Sequence, residues 1–286
     1  MIRCLPALLP MAAAALASAA PAIAQPPALP TPIAETASVP TGPRSDLHAQ
    51  VLLDRAHFSP GQIDGLPGSN QKRAVSGFQA AHDLKVTGEL DDATWQALQA
   101  DRVDVLARYT LTAEDVAGPF QPVPDTPAAQ AKLKALGFAS VEEALGERFH
   151  ADPVLLRTLN PGVDFSKAGT AIQVPNIAPS TLPKAARLVI DKSESTLRLF
   201  DAQGKVYAQF PVSSGSRHDP LPIGTWKILG ISRDPTFHYN PKLFWDARKG
   251  EGKATLPPGP NNPVCRVWID LSKPHYGLPG TPEPGH

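Results

Sequence analysis

Apolar residues recur at three- and four-residue spacing in the first third of the chain and alternate in the last third. The pattern therefore predicts helices first and strands last. Leu47, Val51, Leu52 and Leu53 mark a first helix that ends before Phe58-Ser59-Pro60-Gly61. Asp64-Gly65 and Gly68 form a tight turn, where glycine accepts positive φ. Ser69-Asn70 is placed to cap a second helix carrying Ala74, Val75, Phe78 and Ala81 at helical spacing. Val86 to Leu90 connects to a third helix, capped by Asp91 or Asp92 and carrying Trp95 and Leu98. The three aromatic and leucine positions of the last two helices, Phe78, Trp95 and Leu98, read as core.

Residues 133–177 read as a β-α-α-β unit. Val141 to Leu145 opens one helix. Asp152-Pro153 starts a second, with the acid as N-cap and proline at the first helical position. Gly169 to Pro175 closes the unit as a strand. From Lys184 the period is two. Arg187–Asp191 suits a buried strand, Thr196–Phe200 alternates cleanly, and Asp201 to Gly204 is a hairpin turn before a strand over Lys205–Ser213. Thr225–Leu229 and Arg266–Asp270 are further strands, the latter drawing in Cys265. The predicted class is α+β, multidomain. The helical domain occupies 46–100, the small unit 133–177 and the β-rich domain 184–286, with linkers at 25–45 and 101–132.

Composition narrows the setting. The chain has 286 residues, zero formal net charge and 33 prolines concentrated in the linkers. No basic excess points to nucleic acid. Arg3, the apolar run Leu5–Ala20 and Ala22-Ile23-Ala24 fit a cleaved signal peptide over residues 1–24, with Gln25 as the mature start. A membrane anchor is the alternative, disfavoured by Pro6, Pro10 and Pro21. Cys4 leaves with the leader, so Cys265 is the remaining thiol, which excludes an intrachain disulfide and a cysteine-based zinc site.

Three resemblances follow from these residues. The string from Ile63 to Leu98, with D-G-x-x-G, A-V-x-x-F-Q, T-G-x-x-D and T-W-x-x-L in order, resembles a three-helix peptidoglycan-binding domain. The L-x-x-L-N-P run ending at Pro161 and the closing Gly169 to Pro175 resemble a LysM module, although the usual G-D-T-L opening is absent. A subdomain that only packs against the catalytic one is the alternative. Leu188 to Leu199, Val212-Ser213-Ser214-Gly215, Pro222 to Trp226, Asn262-Pro263-Val264 and His275 to Pro284 resemble the L,D-transpeptidases. The insertion Pro235–Pro263, with Phe237 to Pro241 and Phe244-Trp245-Asp246, resembles one found in exported members.

That resemblance implies periplasmic acyl transfer without metal or organic cofactor, with peptidoglycan as partner and no membrane span after leader cleavage. A cysteine thiolate attacks the amide after diaminopimelate in a tetrapeptide stem, and a second stem's amine resolves the thioester as a 3→3 cross-link. The family's motif reads Y-G-I-H-G-T-P-E-P, followed downstream by S-H-G-C-[IV]-R. Here Tyr276-Gly277-Leu278-Pro279-Gly280-Thr281 aligns with the first half, with Pro279 at the histidine, and the second half falls beyond His286. Proline has no titratable group and no backbone N–H. The resemblance thus implies no catalytic residue in these positions. It implies a donor-stem remnant at Tyr276, Gly277, Gly280 and Thr281, bordered by Ser213, Ser214 and Gly215. His275 lies four residues from Pro279, about 13 Å along a strand, and His286 is terminal; neither replaces the base. Cys265 before Arg266 faintly echoes the nucleophile context but reads as a buried strand residue. Truncation or frameshift is the favoured explanation, with an unpaired sheet edge as its consequence; a degenerate binding protein is the alternative. A zinc hydrolase is a further reading, but the eight histidines show no H-E-x-x-H spacing, and His218, His238 and His275 stand alone.

Overall fold

The computed structural model describes residues 31–32, 44–100, 102–178, 181–213, 215, 218 and 220–282. The expected signal peptide, most of the first linker, Cys4, Ser214 and His286 lie outside the described residues. The described chain is α+β, with helices toward the front and antiparallel sheets toward the back.

A short strand β1 (Thr31–Pro32) precedes helix α1 (Asp46–Arg55). The Ser45 hydroxyl accepts from the His48 N–H at 3.2 Å and caps α1. Leu47, Ala49, Val51, Leu52 and Leu53 are all buried. A helix apolar around most of its circumference must be covered on more than one side, and α1 is shared by two cores. Ala49, Leu52 and Leu53 face α2 (Ser69–Ala81) and α3 (Asp92–Leu98) through Phe78, Trp95 and Leu98. Leu47 and Val51 join a second core built from the middle unit. Asp91 caps α3, while α2 starts from Gly68 without a side-chain cap; the expected Ser69-Asn70 cap is instead the first residues of the helix.

The middle unit contains β2 (Leu106–Thr110), the single turn α4 (Pro127–Gln130), α5 (Val141–Phe149), α6 (Pro153–Leu159) and β3 (Ala171–Pro175). Strand β2 lies within the stretch expected to be a linker and pairs antiparallel with β3 from Leu106↔Pro175 to Thr110↔Ala171. It, rather than a strand after residue 133, opens the β-α-α-β arrangement. Asn160 of the L-x-x-L-N-P run ties helix to strand: its amide donates to the Leu156 and Gln173 carbonyls at 2.8 Å, and its oxygen accepts from the Gln173 N–H at 2.6 Å. Ile63 of the helical domain joins the unit through backbone bonds. Its N–H donates to the His150 carbonyl at 2.7 Å, and its carbonyl accepts from the Asp152 N–H at 2.8 Å.

The last region is built from β4 (Arg187–Asp191), β5 (Thr196–Phe200), β6 (Val206–Pro211), β7 (Ile228–Arg233), β8 (Phe237–Tyr239), β9 (Ala254–Leu256), β10 (Val267–Leu271) and β11 (Gly277–Pro279). One sheet runs β4-β5-β6, a second β11-β10-β7, and β8-β9 form a hairpin inside the insertion. Strand β4, expected to be buried, is a half-exposed edge. The expected Thr225–Leu229 strand begins only at Ile228, and all six residues of β7 are exposed.

Two docking points hold this region to the front. Gln209 of β6 is buried, and its amide donates to the Arg73 carbonyl of α2 at 2.8 Å while its oxygen accepts from Arg198 Nε at 3.0 Å. A side chain at Gly77 would come within 2.4 Å of that same Gln209 oxygen, so glycine there leaves room for the Gln209 amide against the helix. On the other flank, Asn261 of the insertion donates through its amide to the Gly137 carbonyl at 2.8 Å and to Glu143 at 2.7 Å.

Candidate functional site

Cys265 and the tail motif converge, in a manner the sequence did not predict. Asn262 folds the chain back: its side-chain oxygen accepts from the Val264 N–H at 3.0 Å, and its carbonyl accepts from the Cys265 N–H at 2.6 Å. Cys265 therefore sits in a turn with φ of 52°, in the left-handed region, and not in the expected strand, which starts at Val267. Few non-glycine residues adopt that conformation. The turn aims the thiol at the tail. A side chain at Gly280 would lie 3.0 Å from Cys265 Cβ and 3.4 Å from its Sγ, and the Gly280 N–H donates to the Val267 carbonyl at 3.0 Å.

The thiol is poorly suited to attack. Cys265 is 7% exposed. Burial pushes its pKa up, the Arg266 amide pulls it down less strongly, and the Glu147 charge adds to the rise. No imidazole figures among the groups that act on it. A raised, buried thiol without a base holds its proton at neutral pH.

Of the residues expected to receive a stem, Tyr276, Gly277, Gly280 and Thr281 lie on β11 and its flanks. Strand β11 pairs with β10 as Trp268↔Pro279, Ile269↔Leu278 and Asp270↔Gly277. Tyr276 is 42% exposed at one end. Gly277 is fixed by packing, because a side chain there would meet the Trp268 indole at 2.2 Å. Gly280 and the exposed Thr281 lie at the other end, beside the thiol. His275 precedes Tyr276, with φ of 66° and an exposed ring, at the end of β11 away from Gly280. Pro279 occupies the exposed position between them. The border expected at Ser213 and Gly215 stays an expectation.

The sequence reading also missed Lys273. Its Nζ stands 4.8 Å from the centre of the Tyr276 ring and 5.9 Å from that of Trp226. The one available signal was its place in S-K-P-H-Y, directly before the tail motif. His218, taken as isolated, stacks on Trp245 at 4.2 Å and 17°. In the same insertion the Tyr239 hydroxyl donates to Glu251, which pushes its pKa up to about 12. Among the described residues no three His, Cys, Asp or Glu side chains converge as metal ligands, and no helix is long and apolar enough to cross a membrane.

Comparison with known proteins agrees with this architecture. Residues 47–98 match the family described as "Putative peptidoglycan binding domain", and residues 185–286 match the L,D-transpeptidase catalytic domain. A relative from Bacillus licheniformis, "Putative L,D-transpeptidase YkuD", is 26% identical over 145 residues, covering 50% of this chain and 71% of the relative. Residues 47–98 are thus a peptidoglycan-binding domain, and residues 185–286 belong to the L,D-transpeptidase catalytic-domain family.

Proposed function

We propose that this protein is exported to the periplasm by an N-terminal leader and acts on the cell wall, with the β-rich domain receiving peptide stems and the front modules holding peptidoglycan. The chemistry of the domain's family is acyl transfer through a cysteine thioester, leading to 3→3 cross-links. Tyr276, Gly277, Gly280 and Thr281 provide the stem-receiving strand, and the middle unit adds a LysM-like contact to glycan. Residues 1–286 bind stems without turning them over.

The observation that carries this reading is the Cys265 thiol buried beside Gly280, directly after Pro279 in the tail. Proline stands where the family's base belongs and can neither take a proton nor donate an N–H. The thiol beside Gly280 is buried, raised in pKa and without an imidazole. A general base must reach the proton it removes, and among the described residues no side chain hydrogen-bonds the thiol. Two assays on the purified chain test the reading. It sediments with insoluble peptidoglycan, and it produces no cross-linked dimers from tetrapeptide muropeptides. Dimers that disappear in Cys265→Ala would overturn the non-catalytic part; a chain left wholly in the supernatant would overturn the wall-binding part.

A further inference from the structure

The turn between β10 and β11 is built around one cation. Ser272 staples it to the segment before β7: the Lys227 N–H donates to Ser272 Oγ at 2.9 Å, and the Ser272 N–H donates to the Lys227 carbonyl at 2.8 Å. That pair of hydrogen bonds places Trp226 next to Lys273. The Tyr276 N–H donates to the Lys273 carbonyl at 3.2 Å and brings the second ring over the same ammonium. Lys273 is half-buried between the two aromatic faces. Among the described residues it has no carboxylate partner.

Ring faces attract a cation but leave its charge intact. A half-buried ammonium so held is oriented in advance and short of an anion, and charge-assisted bonds to carboxylates are the strong ones. We propose that Lys273, between Trp226 and Tyr276, is the receptor for a carboxylate of an acidic peptide stem. The inference rests on the stem-binding reading above and names the group that would recognise the stem's charge. Geometry supports the placement. Among the described residues β11 is the outer strand of its sheet, so an extended peptide can lie along it. Tyr276 and Gly280 are four residues apart along it, about 13 Å of extended chain, the span of a tetrapeptide. A stem anchored at Lys273 therefore reaches the Gly280–Cys265 end.

Calorimetric titration of the full chain with a synthetic tetrapeptide stem, and with the same peptide carrying amidated carboxyl groups, tests this. Amidation is expected to weaken binding about tenfold, and Lys273→Gln to weaken binding of the acidic stem by about the same factor. Lys273→Gln then binds both peptides alike, and Lys273→Arg keeps most of the affinity. Binding of the acidic stem unchanged in Lys273→Gln, or binding to the wild-type chain unchanged by amidation, overturns the proposal. The amidation arm uses the wild-type chain alone and so does not depend on a variant's folding. Sedimentation with insoluble peptidoglycan separates the two levels: a chain that sediments but ignores Lys273 loses only this inference, and one that neither sediments nor binds the stem loses both.

Discussion

The front and the back of the molecule stay folded by different means. Residues 44–178 own their cores: Leu53, Phe78, Leu145 and Leu156 are at most 2% exposed, and α1 serves two of these cores at once. The described residues of 181–282 place few side chains so deeply. In β7 alone Ile228, Leu229 and Ile231 are 51%, 64% and 64% exposed. Of the back region, Val206 packs against a core, and that core belongs to the helical domain. The front part is thus self-sufficient, whereas the back part leans on Gln209 and Asn261 for its position. An exposed apolar edge strand such as β7 also invites association.

The largest test of this contrast is Phe78→Ala against Leu229→Ala. Removing the buried ring costs about 3–4 kcal/mol, and the exposed leucine costs within about 0.5 kcal/mol. Thermal or urea unfolding reads both; equal losses would erase the distinction. Next comes Gly77→Ala, whose new methyl displaces the Gln209 amide and breaks the docking of β6 at a cost of about 1–3 kcal/mol. Limited proteolysis then cuts the back region faster while the front stays resistant. Protection unchanged across both regions would show that they do not depend on this contact.

The smallest effect concerns the seam between the helical domain and the middle unit. His150 Nδ1 lies 3.0 Å from Asp54 Oδ1. Burial on its own lowers the imidazole pKa, but the hydrogen bond and charge of Asp54, with Glu147, outweigh it and leave the value raised. A raised folded pKa means that the pair's stabilisation is complete below about pH 6.5 and is lost as pH rises through the folded value. Asp54→Asn removes this pH dependence, with a change under about 1 kcal/mol because the imidazole is partly exposed. A melting temperature that rises from pH 5 to pH 8 more in the wild type than in the variant would contradict the sign.

Local signals explain what the sequence disclosed. The three helices of the front domain have their apolar spacing and turn glycines within a few residues, so their limits were legible. Strand β2 was not, because L-A-R-Y-T becomes a strand only through β3, far along the chain. Cys265 was misread because V-C-R-V-W-I-D carries a strand's alternation, whereas the Asn262 side chain bends its first residues into a turn. The tail motif was legible as a motif. Its contact with the thiol was not, since it depends on the pairing of β10 with β11 and on the absence of a side chain at Gly280. Lys273 escaped because a single lysine beside a proline carries no pattern; only the folded turn brings two rings over it.

Intact-mass spectrometry after incubation with a tetrapeptide stem bears most directly on the central claim, that these residues receive a stem but hold no nucleophile and base able to open it. The expected spectrum shows the unmodified chain at every time point between pH 6 and pH 9 (about the range over which a thiol of ordinary pKa would gain its charge). A mass gain equal to the acyl part of the stem, mapped to Cys265 and absent in Cys265→Ala, would contradict it.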